Sequence, residues 1–256
     1  MSLWEALAIL LAGVAAGTIN TIVGSGTLIT FPVLLATGLP PVTANVSNTL
    51  GLVPGSISGA IGYRAELRGQ TRRVLRLGTV ALLGGLAGAA LLLVLPSESF
   101  DTIVPVLIAL ALVLVVLQPR LAAALRRRQG ADPTRAPHPD GGPVLLGGML
   151  LASAYGGYFG AAQGVLYLAL MGLLLHDDMQ RVNGVKNILA ALVNGVAAIF
   201  FLFVAEFDWW AVALIAVGST LGGQIGAKVG RRLPPTALRA LIVIVGTVAI
   251  VQLLLR

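Results

Sequence analysis

Two places in this chain set hydrogen-bonding side chains among almost wholly apolar neighbours. The first holds Asn20, Gly24, Ser25 and Gly26, then Asn45, Ser47, Asn48 and Thr49. The second holds Gln163 and Gly164, then Asn183, Lys186 and Asn187. Amide and hydroxyl groups donate hydrogen bonds, and a helix N-terminus adds unpaired N–H groups with a positive potential. With a lysine among them, such a set suits a small negatively charged solute. The chain is expected to restart as helix after Gly26, after Gly164, near Asn45 and near Asn183, which would aim those N-termini at the solute. Lys186 falls about one turn inside an apolar span, where an unpaired cation costs about 2.5–3.5 kcal/mol on insertion scales. A bound anion would offset that cost. The alternative is a lysine that snorkels to the interface beside Arg181. For Asn48 and Asn187 the alternative is hydrogen bonding between helices, worth roughly 0.6 kcal/mol on average.

These residues need a frame, and composition names its class. Mean hydropathy is +0.94, and the 11% of residues that are charged gather in a few loops. Apolar runs near the length that crosses roughly 30 Å of hydrocarbon recur along all 256 residues. The chain reads as an all-α polytopic membrane protein; continuous rather than alternating runs exclude a transmembrane β-barrel. Cysteine is absent, which removes disulfides, thiolate metal sites and cysteine relays. His138 and His176 lie in loops and form no metal-ligand cluster, so neither metal nor other cofactor is expected. The net charge of +7 sits in separated loops rather than on one face, so no nucleic-acid partner is expected. Ser, His and carboxylates never converge within the spans, which argues against a membrane-embedded enzyme. The N-terminus lacks the cationic start of a signal peptide, so residues 3–23 are expected to stay as a helix.

The expected spans are 3–23, a short piece 27–39, 42–63, 74–95 and 103–125, then 143–160, a short piece 164–175, 182–204, 210–230 and 236–255. That makes about eight full spans with two short helices. Residues 1–125 and 143–256 read as two transmembrane repeats joined by a Pro/Gly-rich, charged linker, 126–142. Gly84-Gly85, Gly88, Leu95-Pro96 and Gly26 recur as Gly222-Gly223, Gly226, Leu233-Pro234 and Gly164 at one constant offset of 138 residues. Cytoplasmic loops are enriched in Lys and Arg. Arg64 to Arg76, Arg120 to Arg135, Arg181 with Lys186, and Lys228 to Arg239 therefore mark the cytoplasmic side. The turns around Glu5, 24–41, Glu98/Asp101 and Glu206/Asp208 carry no cation. Each broken segment, 3–39 and 143–175, must then enter and return on one side. Both termini come out extracytoplasmic, the linker cytoplasmic, and the repeats inverted. Inverted repeats with discontinuous helices are a transporter architecture.

The pattern resembles the TauE/SafE family, also called TSUP, of sulfite and organosulfonate exporters. The residues that carry the resemblance are Ala16-Gly17, Gly24-Ser25-Gly26, Phe31-Pro32-Val33-Leu34-Leu35, Gly38-Leu39-Pro40, Ala44-Asn45-Val46-Ser47-Asn48-Thr49 and Gly59-Ala60-Ile61. In the second half they are Gly156-Gly157-Tyr158-Phe159-Gly160-Ala161-Ala162-Gln163-Gly164, Asn183-Gly184-Val185-Lys186-Asn187, and Leu221-Gly222-Gly223 with Gly226-Ala227-Lys228. The chain departs from the family where runs of three or four glycines are common and Gly24-Ser25-Gly26 and Gln163-Gly164 stand here. The resemblance implies a secondary transporter or facilitator in the plasma (inner) membrane. It would export sulfite or an organosulfonate such as sulfoacetate by alternating access at the repeat interface. An uptake permease for another small sulfur-containing or carboxylate anion is the alternative. Expected partners are that anion, the lipid bilayer and, as one option, a second copy of the chain. The membrane potential favours anion exit by about 2.3 kcal/mol per charge at 100 mV, so export needs the least machinery.

Overall fold

A computed structural model describes residues 2–131, 141–175 and 177–229, with the isolated positions 240, 243, 244, 247 and 251. The described residues form helices and no strands. α1 (Leu3–Ile22) starts from a capping box in which Ser2 and Glu5 exchange hydrogen bonds, and α2 (Thr27–Ala36) is a short return limb. α3 (Pro41–Gly62) starts with Pro41, whose missing N–H is no loss at a first helical position. α4 (Thr71–Val94) and α5 (Ser97–Ala131) complete the first half. α6 (Gly142–Tyr158) and α7 (Gln163–Leu174) repeat the long-limb, short-limb pattern. α8 (Met179–Leu202) is capped by Asp178, which accepts from the Gln180 N–H at 2.8 Å. α9 (Trp209–Val229) is capped by Asp208, which accepts from the Ala211 N–H at 2.8 Å.

The observed bounds track the expected spans to within a few residues except at α5, which starts at Ser97 rather than at 103. α5 does not stop at 125 but runs through Ala131, into the expected linker. Leu121 to Gln129 is a run of Ala, Leu, Arg and Gln, all strong helix formers, so nothing local ends the helix where hydropathy falls. The rest of the linker up to Asp140 and nearly all of the expected span 236–255 lie outside the described residues. Among the described residues four helices are long and apolar enough to cross a membrane: α1, α4, α8 and α9.

Hydrocarbon gives helices no hydrophobic reason to associate, so they pack by close approach of small residues. α1 lies along α9, and α6 lies along α4, in the same way. A Cβ at Gly222 would overlap the Val14 carbonyl, and one at Gly88 would overlap the Ala154 carbonyl. Hydrogen bonds fasten the first seam and its neighbour: Thr18 Oγ1 donates to the Gly222 carbonyl (3.1 Å), and Ser219 Oγ to the Gly51 carbonyl (2.9 Å). Large apolar side chains such as Leu83, Leu91, Val106, Val113, Leu151 and Leu221 face outward, as a lipid-contacting surface requires.

Two ends of the bundle differ in chemistry. At one, Glu5, Ile9, Thr37, Leu39, Asp208 and Ala211 line a depression of about 110 Å³, so the start of α1, the end of α2 and the start of α9 share that end. At the other, Arg73 and Arg181 hold Asp177, and Gln70 donates to the Arg181 carbonyl at 3.1 Å. The start of α4 and the α7–α8 junction share this cationic end.

The seams make a clear prediction. Gly88→Leu or Gly222→Leu must push two backbones apart and should cost about 1–3 kcal/mol or more. It should be seen as a fall in the melting temperature of detergent-solubilised protein. Gly195→Ala, where an added Cβ meets nothing within 4 Å, should be neutral or raise it, since Ala favours helix by up to about 1 kcal/mol.

Candidate functional site

The site grows from the way α1 ends. The Val23 and Gly24 N–H groups both turn back to the Ile19 carbonyl, at 2.7 and 3.1 Å. Gly24 then takes φ +88, a left-handed conformation that glycine adopts without penalty. The Asn20 and Thr21 carbonyls are left beyond the helical ladder, and inside a membrane such groups need donors. α8 supplies them from one face. Lys186 Nζ donates to the Asn20 carbonyl at 2.7 Å and to the Thr21 carbonyl at 3.1 Å. Asn183 Nδ2 and Asn187 Nδ2 donate to the same Thr21 carbonyl at 3.1 and 3.3 Å. Residues 183, 186 and 187 can do this together because positions three and four apart share a helix face.

Lys186 is fully buried, with 0% exposure. Snorkelling beside Arg181 is thereby excluded: the ammonium points inward to the end of α1, where the helix macrodipole is negative. Among the described residues it is the one charged side chain classed as buried.

The second tip repeats the motif. The Phe159 and Gly160 N–H groups turn back to the Tyr155 carbonyl at 3.0 and 3.2 Å, and Gly160 and Ala162 take φ 75 and 57. The Tyr158 carbonyl, at the end of α6, accepts from Asn45 Nδ2 at 3.0 Å. The tips then touch: the Gly164 N–H donates to the Gly24 carbonyl at 3.0 Å, and neither position has room for a Cβ. The stem of Lys186 lies against Gly164.

The structure thus gathers Asn20, Gly24, Gly164, Asn183, Lys186 and Asn187 at the first tip, with Ser25 and Gly26 beside them in the chain. Ser25 is fully buried, and its hydroxyl has no hydrogen-bond partner among the described residues. Asn45 serves the second tip. Asn48 stays within its own half, donating to Thr27 Oγ1 at 3.3 Å and accepting from Thr30 Oγ1. Thr49 Oγ1 donates back to the Asn45 carbonyl at 2.9 Å. Two expected residues face elsewhere. Ser47 Oγ accepts from the Asp208 N–H at 3.0 Å, and Gln163 Nε2 donates to Tyr167 OH at 2.7 Å, inside the α6–α7 hairpin.

The helix-end expectation needs correction. α3 starts at Pro41 and α8 at Met179, so Asn45 and Asn183 lie a full turn inside, where backbone N–H groups are already paired. α7 starts at Gln163 rather than after Gly164. What the tips offer α8 and α3 is carbonyl ends of α1 and α6. Thr21 and Tyr158, which accept through backbone oxygens, have no side-chain signature; Thr27 and Thr30 could have been found as a polar pair three apart at the start of a short helix.

At the cationic end, Asp177 accepts from Arg73 Nη1 at 2.6 Å, Arg181 Nε at 2.9 Å and the Asp178 N–H at 2.8 Å. Burial pushes its carboxyl up, but the Arg73 hydrogen bond, the Asp178 N–H and the charges of Arg73 and Arg181 outweigh that and hold it below the ordinary 3.8. Asp177 ties the start of α4 to the start of α8.

The sequence model of the sulfite exporter TauE/SafE family matches residues 9–253. The chain belongs to the TauE/SafE family. Similar proteins are the probable membrane transporter protein YfcA of Escherichia coli strain K12, 27% identical over 93% of this chain and 86% of that protein. A probable membrane transporter protein of Haemophilus influenzae is 26% identical over 94% and 91%, and the probable membrane transporter protein ORF9 of a Sinorhizobium species is 25% identical over 95% and 90%. As a TauE/SafE protein with apolar helices among the described residues, this chain is a multi-pass membrane transporter.

A depressed carboxyl pKa stabilises the fold above the unfolded-state value and loses that contribution as pH falls through the folded value. Wild type should therefore exceed Asp177→Asn in stability by about 1 kcal/mol at neutral pH. Melting curves from pH 7 downward should show the gap closing at and below the ordinary 3.8.

Proposed function

We propose that this transporter exports a small sulfur oxoanion, sulfite or an organosulfonate, by alternating access between two inverted halves. The observation that carries this reading is Lys186: a fully buried cation, held by neutral groups among the described residues and placed where two helix-hairpin tips touch. An uncompensated charge at that depth is costly and marks a substrate or ion pathway. Its ammonium has three N–H groups, and two are engaged by α1.

The paired seams support inversion. α1 packs on α9 as α6 packs on α4, and the α1–α2 hairpin opens toward the Glu5/Asp208 end while the α6–α7 hairpin leads into the Asp177 junction. The positive-inside rule then puts the arginine-lined end in the cytoplasm of a plasma-membrane protein. The Gly24–Gly164 contact closes the path between the ends in this conformation, and separating the tips would open it. The membrane potential supplies the outward force, about 2.3 kcal/mol per charge at 100 mV.

Purified protein in detergent should melt at a higher temperature with sulfite or an organosulfonate present, because a ligand that binds the folded state stabilises it by mass action. In proteoliposomes the same anion should show saturable flux, and Lys186→Ala should reduce it at least tenfold. An unchanged melting temperature with every small anion, together with wild-type flux in Lys186→Ala, would refute the reading.

A further inference from the structure

The charge at the tips can be summed. Each tip brings one helix C-terminus, of α1 or α6, and one helix N-terminus, of α2 or α7. A C-terminus carries about half a negative charge and an N-terminus about half a positive one. Within each tip these end charges cancel. What remains is Lys186, and the groups packed on it add nothing: backbone carbonyls from α1, Gly164 from the opposite tip, and Asn183 and Asn187 from its own helix. Among the described residues of the first half no charged side chain is buried. At the repeat offset of 138 the position matched to Lys186 is Asn48, a neutral amide already bonded to Thr27 and Thr30.

Resting on the anion reading above, we infer that Lys186 is a charge filter: the transported solute carries one negative charge when bound, and a dianion of the same size is excluded. A monoanion against Lys186 makes a neutral complex inside the membrane. A dianion leaves one net negative charge there, the situation the apo protein has with opposite sign. The cost of a single unpaired charge on insertion scales corresponds to about a hundredfold in affinity. Hydrogensulfite and simple sulfonates pass this filter. Sulfoacetate with both acid groups ionised does not.

Sulfate and methanesulfonate separate charge from shape, since both are tetrahedral, close in size and of fixed charge at neutral pH. Melting temperature of the full chain in detergent is measured against each, with Lys186→Met titrated in parallel to remove non-specific salt effects. Methanesulfonate should raise the wild-type melting temperature with a midpoint about a hundredfold below any shift from sulfate, and Lys186→Met should lose the methanesulfonate shift. If Lys186→Met does not fold, competition by the two ions against sulfite flux in wild-type proteoliposomes decides, with only methanesulfonate expected to inhibit. Equal potency of the two ions, or a stronger effect of sulfate, overturns the charge filter while leaving the anion site standing. A methanesulfonate shift that survives in Lys186→Met also overturns it. No response to any anion overturns both.

Discussion

A helix that ends inside hydrocarbon leaves carbonyl oxygens that no water can satisfy, and the arrangement of this protein follows from how those ends are met. α1 stops at Ile22 and α6 at Tyr158, both well inside the bundle. Each end is received by an asparagine from the opposite half, Asn183 for the Thr21 carbonyl and Asn45 for the Tyr158 carbonyl. These two amides hold the hairpins at a fixed depth and so bring Gly24 against Gly164. Without them the hairpins would have buried polar backbone and no register.

The matched bonds also show where the halves part company. Asn45 and Asn183 play the same part at the same repeat offset, but Lys186 acts on one tip alone. Its N–H groups satisfy the Asn20 and Thr21 carbonyls, which fixes the side chain in place without neutralising its charge. The polar chemistry of the tips is therefore one-sided although their scaffold is two-sided.

Much of this was legible in the residues. Membrane class, the places of most described helices and the closeness of Gly88 and Gly222 to neighbouring helices follow from hydropathy and from small residues at a repeating offset. Asn183, Lys186 and Asn187 stood out because polar groups three and four apart in an apolar run define one face. Their partners did not, because Thr21 and Tyr158 accept through backbone oxygens, which are the same in every residue. Ser47 and Gln163 have the right chemistry for the tips, but rotation about the helix axis aims them at Asp208 and Tyr167. The reach of α5 is not legible in hydropathy, which marks the apolar length of a helix, whereas Ala, Leu and Arg at 121–128 let it continue as helix beyond that length.

The seam between α1 and α9 carries a consequence for biogenesis. Thr18 meets Gly222, so two helices whose contacting residues are 204 positions apart in the chain bind each other. At ordinary elongation rates roughly 10–40 s separate the synthesis of those two residues. Through that interval α1 sits in the bilayer with Thr18, Asn20 and its unmatched carbonyl end lacking their eventual neighbours. A helix in that state has reason to stay near the insertion machinery or a membrane chaperone until the second half arrives, and assembly of this transporter is then paced by translation of its C-terminal helices.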